Sequence, residues 1–289
     1  MTAPAPIAGQ TQPPDDDQID VFGITHPGLV RSENQDNFLI ARISRHVEIL
    51  QSSLGEGDRP HDARMGFLAM VADGVGGGEA GEEASRLAVA RATAIVNGSI
   101  RCLYSSTDPG QSMAQSLMDA AQQVHQDITR RAADIGVQKM ATTLTLWLGI
   151  WPRAYLLQVG DSRCYILRGD ELTQLSSDQT IAQQLVEQGV IKQEQVAATP
   201  WANVLYSAIG GGEAAPVVTS FDMELDAVGL LCSDGLTRHV PDARIRDRLR
   251  TMTSAQQACE ALLQDALDGG GTDNITIVVG RAKKRSRKG

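Results

Sequence analysis

A chain of 289 residues, 42% apolar and 21% charged, has the composition of a globular protein with enough apolar side chains for one large core or two modest ones. Its formal charge is −9, and the last nine residues, Arg281 to Gly289, hold six positive charges, so the remainder sums to −15. An acidic body argues against a nucleic-acid-binding core, and no apolar run approaches the ~20 residues of a membrane-spanning helix.

In chain order, residues 1–18 are rich in Pro, Gln and Asp and lack the basic and apolar regions of a signal peptide; they predict a disordered lead-in. Ile19–Thr25 and Asn37–Arg42 predict strands, separated by a polar turn that holds Arg31 and Asp36. An apolar run, Phe67 to Ala72, stops on Asp73-Gly74; Ala80 to Val96 is Ala-rich and predicts a helix. Met113, Leu117, Ala121, Val124, Ile128 and Ala132 recur at steps of three or four and predict a second. The period then changes to two: Leu144, Leu146, Leu148 and Ile150 mark a strand. Strands follow at Tyr155–Gly160 and Cys164–Arg168, with a hairpin turn at Gly169-Asp170-Glu171.

From Thr180 to Pro216 the pattern is mixed, with one short helix at Ile181–Gln188, which marks a functional excursion and not core. Asp178 is read as a cap for that helix. Strands resume at Val217–Glu224 and Val228–Cys232; Ala255, Ala258, Leu262 and Ala266 mark a last helix and Ile275–Val279 the last strand. Helices interleaved with many strands on hairpin-length links favour an α+β fold, an antiparallel sandwich with helices packed outside. The ordered domain is expected over residues 19–281, followed by a solvated basic tail, 282–289. Cys102, Cys164, Cys232 and Cys259 form no CxxC pair, which fits a reducing cytoplasm.

Three apolar runs end on an aspartate, Asp73, Asp161 and Asp234, and Asp273 directly precedes a fourth. Strands that end this way deliver their carboxylates to one rim of a sheet, where they repel unless a cation sits among them. An all-oxygen set, with Asp73 bridging and the Gly74 carbonyl unobstructed, suits Mg²⁺ or Mn²⁺ and not zinc or copper. Two such ions acidify a bridging water to a hydroxide nucleophile, and Arg31 supplies a fork for phosphate. A different reading takes Gly76-Gly77-Gly78 as a nucleotide cradle, although the Lys-Ser/Thr of a P-loop is missing. The five histidines fit no metal spacing.

The order of Arg31-Ser32-Glu33-Asn34-Gln35-Asp36, Ala72-Asp73-Gly74-Val75-Gly76-Gly77, Ala141-Thr142-Thr143, Val159-Gly160-Asp161-Ser162-Arg163, Ser233-Asp234-Gly235-Leu236-Thr237 and Gly271-Thr272-Asp273-Asn274-Ile275-Thr276 resembles the metal-dependent Ser/Thr protein phosphatases (PPM, protein phosphatase 2C-like) of bacterial type. The resemblance spans Ile19 to about Gly280. It implies a four-layer αββα architecture and two Mn²⁺ or Mg²⁺ ions at one end of the sandwich. Asp73 and the Gly74 carbonyl would hold both ions, Asp234 and Asp273 one of them, Asp36 their waters, and Asp161 a weaker third. Arg31 would bind phosphate, and residues 180–212 would form a flap beside the cleft.

Departures from that pattern are Gln35 in place of an acid, Val75 in place of the animal-type His, and Asp178-Gln179 and Thr199-Pro200-Trp201-Ala202-Asn203 in the flap. The activity so implied is hydrolysis of phosphoserine and phosphothreonine on proteins, reversing a bacterial Ser/Thr kinase. The enzyme is expected to be a cytoplasmic monomer with phosphoprotein partners and no nucleic acid. A catalytically impaired regulatory module of the same fold is the alternative.

Overall fold

The computed structural model describes residues 13–45, 63–100 and 109–284. Cys102, most of the lead-in and the end of the basic tail lie outside these. The elements are β1 (Ile19–His26), β2 (Asp36–Arg45), β3 (Ala63–Val75), α1 (Glu79–Ile100), α2 (Pro109–Ile135), β4 (Ala141–Thr142), β5 (Leu144–Ile150), β6 (Arg153–Val159), β7 (Arg163–Arg168) and β8 (Glu171–Gln174). They continue with α3 (Ile181–Glu187), β9 (Val217–Asp222), β10 (Val228–Cys232), α4 (Asp234–Thr237), α5 (Asp242–Arg250), α6 (Ala255–Asp268) and β11 (Ile275–Ala282). One antiparallel sheet runs β1-β11-β10-β7-β8 and the other β2-β3-β5-β6-β9, with β4 paired to the end of β3.

Strand alternation sorts side chains into three cores. On β3, Leu68, Met70 and Ala72 face α1 and α2, joined by Leu144, Leu146 and Leu148 of β5. The helical stripe anticipated in α2, Met113, Leu117, Ala121, Val124 and Ile128, closes this core from outside. On the other sheet, Leu230 and Cys232 of β10 and Ile275, Ile277 and Val279 of β11 pack under α5 and α6. Between the sheets lie Val71, Leu156, Cys164, Leu231 and Val278, with Trp147 set edge-on to Phe221 at a ring separation of 4.9 Å. These are the four layers expected, helices, two sheets and helices.

Several details differ from expectation. Ordered structure begins before Ile19: Asp16–Gln18 forms a 3-10 turn, and Gln18 exchanges backbone and side-chain hydrogen bonds with Lys283. Asp178 does not cap α3; the hydroxyl of Thr180 accepts from the Gln183 N–H, while Asp178 takes a bidentate pair from Arg163. The helix α5 has no counterpart in the apolar pattern, because only Ile245 and Leu249 of its nine residues are buried.

An apolar hollow of about 410 Å³ lies between the sheets at one end, lined by Val21, Ile40, Trp147, Gly149, Gly229 and Gly280 among others. It contains none of the strand-end aspartates. The aspartates gather at the other end.

Candidate active site

Asp36 opens β2 and Asp73 lies near the close of β3, directly opposite each other in the register of the pair. Facing carboxylates are unfavourable in a sheet, so the arrangement must be held by its surroundings. Asp73 is fixed through its backbone: its N–H donates to the Thr143 hydroxyl at 2.9 Å, and its carbonyl accepts from Thr143 N–H and the Thr142 hydroxyl, each at 2.9 Å. Thr142 and Thr143 are therefore the support of Asp73. Asp36 is fixed through its side chain, where Oδ2 accepts from the hydroxyls of Ser233 and Thr276, both at 2.7 Å. Its Oδ1 is buried and accepts no hydrogen bond.

Gly74 must be glycine for a packing reason, since a Cβ there would stand 2.3 Å from the Gly81 carbonyl oxygen at the start of α1. The Gly76-Gly77-Gly78 loop turns through three consecutive positive φ angles. Its Gly78 carbonyl accepts from the Gln35 side chain, and the first turn of α1 carries Glu79 and Glu82. Two acids there repel a phosphate, which removes the nucleotide-cradle reading.

The other sheet supplies Asp234, at the start of α4, and Asp273, two residues before β11. Gly235 permits this closeness, because a Cβ would sit 2.0 Å from the Asn274 carbonyl oxygen. The Asn274 side chain accepts from Gln35 N–H and donates to the carbonyls of Pro27 and Glu33, which pins the loop that carries Arg31. Arg31 forks onto Asp273, with Nε 2.9 Å from Oδ1 and Nη2 3.0 Å from Oδ2. Asp161, buried after β6, completes the group.

Burial and then mutual repulsion raise these acids: Asp36 to about 6, Asp161 to about 8, and Asp73 and Asp234 above the usual carboxylate range. For Asp73, after burial, the charges responsible are Asp36, Asp234, Asp161 and Asp273. Arg31, Asp73, Gly74, Asp161, Asp234 and Asp273 line one open cleft of about 770 Å³. Asn203 to Ala208 of the 180–212 excursion form its opposite wall, where a flap was expected.

Sequence reasoning missed Arg238. It lies between Asp234 and Asp273 and pairs with both, at 3.0 Å from Asp273 Oδ2. Among the described residues no three His, Cys, Asp or Glu side chains close on one point as a ready ligand shell. The rim nevertheless fits divalent ions. Its donors are all oxygen, its carboxylates are buried beyond what two arginines neutralise, and Asp36 keeps an unsatisfied oxygen.

Residues 59–269 match the family model described as protein phosphatase 2C. The chain belongs to the protein phosphatase 2C family. Among its phosphatase 2C relatives, the Ser/Thr protein phosphatase PstP of Mycobacterium tuberculosis is 35% identical over 213 residues, 73% of this chain and 40% of PstP. The chain thus spans less than half the length of that curated relative. Protein phosphatase PhpP of Streptococcus pneumoniae is 30% identical over 275 residues, 90% of this chain and 96% of PhpP. Two solved PstP structures, one from M. tuberculosis, superpose with TM-scores of 0.73 and 0.70 at 30% identity, covering 92% of this chain and 99% of each of theirs. The second is the catalytic domain in complex with two manganese ions.

Proposed function

We propose that this protein hydrolyses phosphoserine and phosphothreonine esters on proteins, dependent on Mn²⁺ or Mg²⁺. The observation that carries this reading is the convergence of Asp73, Asp161, Asp234 and Asp273 on one cleft beside Arg31, with Asp36 buried directly opposite Asp73. Two divalent ions bound there would supply an acidified water as nucleophile and positive charge for the phosphoryl group. Asp73 and the Gly74 carbonyl would hold both ions, Asp234 and Asp273 one of them, and Asp161 a weaker third.

Asp36 would hold the waters of such ions, a role supported by its buried oxygen that accepts no hydrogen bond from the described residues. Arg31, half exposed at the mouth, is the fork for the substrate phosphate. Val75, where the animal-type members carry a His, offers no proton to the leaving group. Gln35 in place of an acid ties β2 to the glycine loop, a structural role compatible with turnover.

The partners are phosphoproteins reset after a Ser/Thr kinase of the same cell, and the enzyme works as a cytoplasmic monomer that binds no nucleic acid. Three free, buried cysteines, Cys164, Cys232 and Cys259, agree with a reducing compartment, and no described helix is long and apolar enough to cross a membrane. Retention of five mutually repelling aspartates argues against an impaired regulatory module.

The test is phosphate release from a phosphothreonine peptide with Mn²⁺, with EDTA, and by Asp73→Asn beside the parent. Turnover that needs the metal and is lost in Asp73→Asn is expected. A folded parent that is inactive with both metals refutes the proposal.

A further inference from the structure

Arg238 directly follows the Ser233–Thr237 motif, and its environment is more elaborate than that of a surface arginine. Its backbone N–H bonds to the Asp234 carbonyl at 2.9 Å, so helical geometry carries its side chain back over Asp234 one turn earlier. Nη2 contacts Asp234 Oδ2, and Nη1 lies 3.0 Å from Asp273 Oδ2. Arg31 forks onto both oxygens of Asp273, sharing Oδ2 with Arg238. The two carboxylates that a cation at this sheet would need are thus both engaged by guanidinium. With one third of its side chain exposed to the cleft, Arg238 has a way out.

We infer that Arg238 is a built-in counter-cation, which a divalent ion must displace from Asp234 and Asp273, so that this one side chain lowers the metal affinity of the pair and stabilises the metal-free protein. The inference rests on the metal-dependent phosphatase reading. A guanidinium that stays on these oxygens competes with a divalent ion for their lone pairs and repels it. Without the guanidinium, Asp234 and Asp273 confront Asp73 and Asp161 with one arginine fewer to offset them. Removing Arg238 therefore acts with opposite sign on the two states: the metal-free protein loses stability and the metal gains affinity. An arginine with a purely structural role would not tighten metal binding when removed.

The experiment is isothermal titration of the EDTA-stripped full chain with Mn²⁺ at low ionic strength, for the parent, Arg238→Gln and Arg238→Lys, with thermal unfolding of each in EDTA. Arg238→Gln is expected to bind Mn²⁺ about tenfold more tightly and to melt at a lower temperature without metal. Arg238→Lys keeps the charge but not the fork that spans two carboxylates, and is expected to bind about threefold more tightly. If Arg238→Gln does not stay folded in EDTA, the lysine variant decides. Unchanged or weaker Mn²⁺ binding by the folded variants, beside a parent that binds, overturns the inference alone. A folded parent that takes up no Mn²⁺ overturns the metal-dependent reading itself, and this inference with it.

Discussion

Replacing Ser233 by alanine tests how the rim tolerates a buried acid. The Ser233 hydroxyl is fully buried, donates to Asp36 Oδ2 at 2.7 Å and accepts from the Thr276 N–H at 2.9 Å. Its removal takes one hydrogen bond from a carboxylate, worth ~1.5–3 kcal/mol, and strands one buried N–H, at ~1–3 kcal/mol. Thr276 still donates to Asp36, so the lower part of that range applies, ~3 kcal/mol at pH 8.

Below the Asp36 pKa of about 6, which burial raises and the two hydroxyls restrain, the acid is neutral and the lost bond is an ordinary one. The deficit then shrinks to ~2 kcal/mol at pH 5. The sign follows from linkage: deleting a donor to the charged form raises the folded-state pKa further, so the variant recovers stability as pH falls. Urea unfolding in EDTA, followed by tryptophan fluorescence at both pH values, measures this. A loss under ~0.5 kcal/mol at pH 8, or a deficit independent of pH, refutes the reasoning.

Two further outcomes follow from the same geometry. Asp36 and Asp161, raised to about 6 and about 8 chiefly by burial, titrate above their unfolded values near ~4, so the stability they contribute is full below pH ~4 and is lost as pH rises through 6 and then 8. In EDTA the melting temperature should therefore fall between pH 5.5 and pH 8.5, which differential scanning calorimetry reads directly; a flat or rising profile contradicts the assignment. Gly28→Ala forces a side chain onto a φ of +82° and places its Cβ 2.3 Å from the Asp273 carbonyl oxygen. Displacement of Asp273 should lower kcat/KM on a phosphothreonine peptide ~10–100-fold, and an unchanged value would detach Asp273 from the chemistry.

The chemistry-bearing strands were legible because burial on both faces leaves a continuous apolar run, and Asp73, Asp161 and Asp234 interrupt such runs abruptly. The stripes of α2 and α6 were legible for the complementary reason, that each buries one face. Long-range polar partnership was not legible. Asp178 looks like a helix cap in sequence, yet Arg163 from a neighbouring strand claims it. Helix α5 is held by Arg244 and Arg248 converging on Asp265 of α6, a contact between residues 17 and 21 apart in sequence. Arg238 reads as one solvated charge among many until folding brings Asp273 beside it; its one local signal was the four-residue step from Asp234.

The aspartates are divided between the sheets: Asp36 and Asp73 come from one, Asp234 and Asp273 from the ends of strands in the other, and Asp161 from the link that crosses between them. The sandwich therefore works as a pair of jaws. Its bite is set where acids meet, by how fully their repulsion is offset, and the Ser233 and Thr276 hydroxyls on Asp36 are the pins that cross from jaw to jaw. At the far end, Gly149, Gly229 and Gly280 help line the apolar hollow between the sheets. A change of gape anywhere along the sheets thus alters the spacing of the acids, and a substitution deep in the glycine-lined gap can reach the cleft without touching any residue in it.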